Sequence, residues 1–271
     1  MAFFDAGGVK LYYQDSGAGE AIVFVHEFAG DYRSWEPQVN HFSRRYRCLA
    51  YNARGYPPSE VPEDPAAYSQ AIAVDDLAAL LAHLEITRAH VVGLSMGSFT
   101  TLHFGLRHPR TAASLVLAGA GYGALEDGRA AFQAEVEALA QRFESEEMAA
   151  MAEVMAENPF RQAFKLKDPR GWRESTAWLA EHSSLGSALT LRRVQKERPA
   201  FAELELGALD LPVLIIAGDQ DEPSLAPSLY LERTIPGARL EVFPATGHAA
   251  NLEEPERFNR ALDDFFLGVK T

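Results

Sequence analysis

Apolar residues along this chain obey two spacings in turn. The runs VKLYYQDS (Val9 to Ser16), AIVFVHEF (Ala21 to Phe28) and RCLAYN (Arg47 to Asn52) predict strands, the first two parted by the turn-prone Gly17-Ala18-Gly19. Between them Trp35, Val39 and Phe42 recur at helical spacing. Ile72, Leu77, Leu80, Leu81 and Leu84 then form one stripe of a helix within SQAIAVDDLAALLAHL. AHVVGL, a helix to about Arg107 and ASLVLAG continue the alternation. Strands this uniformly apolar, punctuated by helices, predict a parallel sheet covered on both faces.

Past Gly121 the strand signal stops. From Glu126 to about Glu205 only helical spacings occur: Phe132, Val136, Leu139 and Phe143; then Met148, Met151 and Met155; then stretches around Trp172 to Leu179 and Leu185 to Arg198. Sheet signals return in LPVLIIAGDQDEP and ARLEVFPATGHAA, with helix-like SLAPSLYLERTI between them and an amphipathic helix from Glu254 to Phe266 at the end. The expected organisation is an α/β core of residues 1–121 and 206–271 with a helical cap, 122–205, inserted after strand 6. The strands on either side need each other to complete one sheet, so the insert reads as a lid and not as an independent domain.

Length and charge narrow the partners. The 271 residues, 47% hydrophobic and 23% charged, suit one soluble α/β unit with an ample core. A net charge of -13 repels phosphate backbones and anionic bilayers, so neither nucleic acid nor membrane is an expected partner. It also disfavours strongly anionic substrates, unless a local basic pocket overrides the field. The single cysteine, Cys48, lies in an apolar strand-like run and reads as a buried inert thiol. MAFFDAGGVKLYY lacks the basic and apolar regions of a signal peptide, and no run nears the ~20 apolar residues of a membrane span. A cytoplasmic monomer or homodimer is the expectation.

The candidate chemistry sits in HVVGLSMGSFTTLHFGLRHP (His90 to Pro109). A strand, then Gly93-Leu94-Ser95-Met96-Gly97, then a helix is the pattern of a nucleophile elbow. Its glycines admit a tight turn, and Ser95 is thrust clear of the sheet at a helix N-terminus, where partial positive charge favours a developing oxyanion. A serine hydroxyl needs a base, and the base needs a carboxylate to orient it. Among eight histidines, His41, His83, His103 and His108 belong to helices or their ends, His182 to the insert, and His90 to the strand before the elbow. His248 stands apart, in a loop directly after the strand-like RLEVF, where α/β sheets place their chemistry. Asp219, Asp221 and Glu222 all follow VLIIAG, and any of them could be the acid or a turn former. No dinucleotide fingerprint occurs: GAGE lacks a third glycine and precedes a strand.

Over essentially its whole length the chain resembles the α/β-hydrolase fold family. VFVHEFAGDYRSW is similar to the family's His-Gly oxyanion segment, YNARGYPPS to its Asp-x-Arg-Gly-x-Gly-x-Ser loop, and GLSMG to the elbow. GDQDEP and GHAANLEEPERF match its acid and histidine segments. The resemblance implies a mostly parallel eight-stranded sheet with a helical cap after strand 6. It implies a catalytic set of Ser95, Asp221 and His248, with Asp221 chosen over Asp219 because the acid falls three residues after the loop glycine. It further implies oxyanion donors at the N–H groups of Phe28 and Met96, a structural His26, and no cofactor or metal. Glu27 departs from the family glycine, Asn52, Tyr56 and Pro57 from its loop, and Ser98 from a frequent third glycine. Turned inward, Glu27 would oppose the oxyanion; turned outward or into hydrogen bonds, it would not.

The elbow with Met after Ser and the helical insert are similar to carboxylesterases, enol-lactonases and carbon-carbon bond hydrolases. The expected activity is therefore hydrolysis of a small-to-medium carboxylic ester or lactone. A carbon-carbon bond hydrolase acting on a diketone-type acid, and a non-catalytic ligand-binding protein of the same fold, are the alternatives. Phe132, Phe143, Met148, Met151, Met155, Phe160, Phe164, Trp172 and Trp178 give the insert apolar bulk, and one or two reaching the pocket would favour an apolar acyl group. Phe28, Met96 and Trp178 are the expected substrate contacts.

Overall fold

Strand residues that are buried on both sides sort into two cores by alternation, because successive side chains leave opposite faces of a sheet. In β3 (Ala21–Val25), Val23 and Val25 enter one core while Ile22 and Phe24 enter the other. The computed structural model of the chain describes residues 2–269, in which β1 (Ala2–Asp5), β2 (Lys10–Gly17), β3, β4 (Arg47–Tyr51), β5 (Ala89–Leu94), β6 (Ala112–Ala118), β7 (Val213–Gly218) and β8 (Arg239–Phe243) form one sheet. Their spatial order is β1-β2-β4-β3-β5-β6-β7-β8, antiparallel where β2 meets β1 and β4 and parallel from β4 to β8. β1 is an edge strand that the periodicity does not announce: within AFFD only Phe4 is buried.

Helices cover both faces. α1 (Glu36–Phe42) buries Phe42 on the Ile22 side, whereas α2 (Gln70–His83) and α3 (Met96–Arg107) bring Leu77, Leu80, Phe99 and Leu102 to the Val23 side. Between β6 and β7 come α4 (Arg129–Ser145), α5 (Met148–Ala156), α6 (Gln162–Lys167), α7 (Pro169–Ala180) and α8 (Ser184–Leu189). The single helix predicted from Leu185 to Arg198 is instead α8 followed by a wider π-helical turn over Thr190–Lys196. α9 (Glu222–Thr234) follows β7, α10 (Ala250–Glu253) follows β8, and α11 (Pro255–Leu267) closes the Ile22 face with Phe258, Leu262 and Phe266. Fully burying one such side chain contributes about 1.5–3 kcal/mol.

This topology aims the carboxyl ends of β3, β5, β6, β7 and β8 at one rim, with the helices between β6 and β7 packed above it. No helix among the described residues is long and apolar enough to cross a membrane.

Candidate active site

Ser95 occupies the turn between β5 and α3 with φ 54° and ψ -114°, a conformation that L-residues seldom adopt. Its own N–H donates to the Ala118 carbonyl at 2.8 Å, pinning the turn to β6. The flanking glycines are there for want of room. A methyl group on Gly97 would overlap the carbonyl oxygen of Val25, and one on Gly93 would overlap the backbone of Gly97. Ser98, in place of a glycine, earns its position through its hydroxyl, which donates to the Gly93 and Ala118 carbonyls at 2.9 and 2.6 Å. Gly97→Ala is expected to lower unfolding stability by about 3 kcal/mol, as overpacking does. Gly207→Ala, where nothing lies within 4 Å of the added carbon, should stay within about 0.5 kcal/mol of the parent in urea unfolding.

His248 leaves the loop after β8 and places Nδ1 2.7 Å from Asp221 Oδ2. Asp221 is 1% exposed, just after β7. Burial opposes its ionisation, yet the His248 charge and hydrogen bond outweigh burial and hold the carboxyl below its ordinary value. For His248, burial disfavours the cation, but Asp221, then Glu27 and Glu253, raise it above 6.5. The neighbouring acids do other work. Asp219 accepts from the Thr246 N–H at 3.2 Å, bracing the histidine loop, and Glu222 is exposed at the start of α9.

Two further contacts fix the same loop. Glu253 accepts from the N–H groups of Gly247 (2.7 Å) and Ala249 (3.1 Å), one on each side of His248. The Phe160 carbonyl, from the segment between α5 and α6, accepts from the His248 N–H at 3.1 Å.

Ser95 and His248 line a cavity of about 430 Å³. Phe28, Val136, Leu139, Phe132, Met155 and Phe160 supply its apolar wall, so three of the nine bulky insert residues singled out above reach it. A narrower recess beside it is lined by Ser95, His248 and Asp221 together. Trp178, an expected substrate contact, is absent from both walls; it stacks instead against Arg33, whose guanidinium carbon lies 5.2 Å from the ring. The Met96 side chain likewise packs away from the chamber, with Tyr56 and Tyr68. The Met96 N–H lies in the first turn of α3, where no helical acceptor exists.

A family model described as the alpha/beta hydrolase fold matches residues 20–255. The chain belongs to that family. Among curated relatives, 3-oxoadipate enol-lactonase 2 of Acinetobacter baylyi is 29% identical, covering 95% of this chain and 93% of its own. The 2-hydroxymuconate semialdehyde hydrolase of Pseudomonas sp. strain CF600 is also 29% identical, over 96% and 91%. A thermophilic esterase from Thermogutta terrifontis superposes with a TM-score of 0.86 at 26% identity, over 100% and 99%.

Within this α/β-hydrolase the departures from the family loops have physical accounts. His26 is fully buried; its Nε2 accepts from the Ala53 N–H at 3.0 Å, so Nδ1 carries the proton and donates to the Glu27 carbonyl at 2.7 Å. Burial pushes it down to about 4, leaving a neutral strut between two loops. Asn52 holds the second loop by donating to the Tyr56 and Pro57 carbonyls, and accepts from the Tyr32 N–H. Glu27 is buried on the chamber wall and accepts from the Ser34 hydroxyl at 3.1 Å. Space for its carboxyl exists because residue 30 is glycine: a methyl there would overlap it. Burial raises the Glu27 carboxyl above its ordinary value, offset by its backbone, Arg161, Ser34 and His248. A carboxyl drawn toward its neutral form opposes an oxyanion less than a bare charge does.

Proposed function

We propose that this α/β-hydrolase cleaves a small-to-medium carboxylic ester or lactone through an acyl-enzyme on Ser95. The observation that carries the reading is the 2.7 Å His248–Asp221 hydrogen bond at the rim of a cavity that Ser95 also lines. In the proposed cycle His248 takes the Ser95 proton as the hydroxyl attacks the carbonyl carbon. The Phe28 and Met96 N–H groups receive the oxyanion, the alcohol leaves with the proton from His248, and water activated by the same imidazole releases the acid. Asp221 keeps the productive tautomer and stabilises the imidazolium. Residues 122–205 serve as a lid whose Phe132, Met155 and Phe160 face the acyl group.

The test is a substrate screen over esters, lactones, amides and vinylogous diketo acids. Turnover of esters or lactones that Ser95→Ala lacks is expected. Turnover confined to diketo acids would transfer the site to carbon-carbon bond cleavage. Saturable binding without turnover would make it a ligand-binding member of the fold.

The electrostatics also set a pH dependence. Because His248 must be neutral to accept a proton and its value lies above 6.5, kcat/KM should fall as pH drops through an apparent pKa above 6.5. An acidic limb centred below that value, in initial rates across a constant-ionic-strength buffer series, would contradict the assignment.

A further inference from the structure

The narrow recess beside Ser95 and His248, about 60 Å³, has several times the ~15 Å³ that one water requires. Its lining also includes Phe99, Phe132, Gln195 and Arg198. Gln195 belongs to the π-helical turn of Thr190–Lys196, and Arg198 lies just beyond it; such turns are uncommon and frequently mark functional sites.

Arg198 is only 3% exposed. Its guanidinium carbon lies 3.6 Å from the centroid of Phe99 and 4.9 Å from that of Phe132, and one terminal nitrogen donates to the Tyr122 carbonyl. Its Nε–H is buried with no acceptor. Arg198 makes no ion pair among the described residues, and a second cation, Arg129, which donates to the Arg198 carbonyl, further disfavours its charge. Burial lowers its value to about 9, so the group is a cation at neutral pH. Buried charges are ordinarily paired, and a guanidinium fork is shaped for a carboxylate. Asp221 also lines the recess, but its charge is engaged by His248, whereas Glu27, Glu135 and Arg161 stand on the main chamber. Arg198 is thus the one cation of the recess without a carboxylate partner among the described residues.

We propose that this recess is an anion subsite in which Arg198, with the carboxamide of Gln195 beside it, receives a carboxylate carried by the acyl part of the substrate. The substrates are then half-esters, or carboxylate-bearing lactones, of short dicarboxylic acids. The acyl part is the one placed there because it becomes tethered to Ser95, which lines the recess. The proposal deepens the ester-hydrolase reading and rests on it for the identity of the reacting bond.

The experiment compares monomethyl glutarate with methyl pentanoate, and measures glutarate binding by calorimetry. The unmodified protein should favour the charged ester in kcat/KM by about tenfold or more, the scale of one charge-assisted pair, mainly through KM. Arg198→Lys should weaken that preference, and Arg198→Met should abolish both it and glutarate binding, each variant checked for folding by circular dichroism. Preference for methyl pentanoate in the unmodified protein overturns the subsite and leaves the hydrolase reading standing. The same preference ratio in a folded Arg198→Met protein also overturns it, since Arg198 would then be a packing residue. Turnover of neither ester, with glutarate bound by the parent and not by Arg198→Met, supports the subsite and counts against the hydrolase reading. Should neither variant fold, the unmodified protein decides: no saturable glutarate binding overturns the subsite.

Discussion

Ser95→Ala is expected to lower kcat on an activated ester by about 10⁵- to 10⁶-fold, the loss typical when a serine nucleophile acting as part of a unit is removed. The expectation follows from the backbone more than from the hydroxyl. The Ser95 main chain sits at φ 54°, bonded to Ala118, between glycines that admit no side chain. Alanine has the same backbone limits as serine there, so the turn should persist and thermal melting should change little. Loss of rate without loss of fold is the signature sought. Intact-mass measurement during turnover should show an acyl adduct on the parent that the variant lacks. Equal, slow hydrolysis by both proteins would remove Ser95 from the chemistry.

The parts of this site that were legible in the sequence are those with local steric causes. Gly93 and Gly97 announce the elbow because the clash they avoid lies within one turn and its neighbouring strand. His248 is legible because a loop after an apolar strand is where an α/β sheet exposes chemistry. The five interior parallel strands were readable from their apolar runs, whereas AFFD was not, being a short edge strand with one buried residue.

Charge burial was not legible. An arginine reads as a solvated residue until several elements close over it, and Arg198 is covered by Phe99 of α3 and Phe132 of α4, far apart in the chain. Glu27 could not be oriented from sequence either, since its accommodation depends jointly on Gly30, Ser34 and the insert residue Arg161. Periodicity showed which face of an insert helix is apolar, but not what that face meets. Phe132 and Met155 reach the chamber, Phe143 packs edge-on against Phe28 at 5.7 Å, and Trp178 stacks on Arg33.

Two aspartates two residues apart leave VLIIAG, and they are expected to differ sharply. Asp221→Asn should lower kcat by about 10⁴-fold, as losing the acid that orients a catalytic imidazole does. The amide keeps the shape of the carboxyl, but it no longer supplies the charge that raises His248, and its NH2 can turn toward Nδ1 and favour the wrong tautomer. Asp219→Asn removes only an acceptor for the Thr246 N–H, which an amide oxygen can still serve, so its turnover should remain near that of the parent. The two variants also differ in their pH profiles. Without the Asp221 charge, burial prevails at His248 and the acidic limb of kcat/KM should move to lower pH, whereas with Asp219→Asn it should stay in place. If Asp219→Asn were instead the crippled variant, with its acidic limb displaced, the orienting carboxylate would belong to the other side of the turn, and the 2.7 Å contact between His248 and Asp221 would not be the one used in turnover.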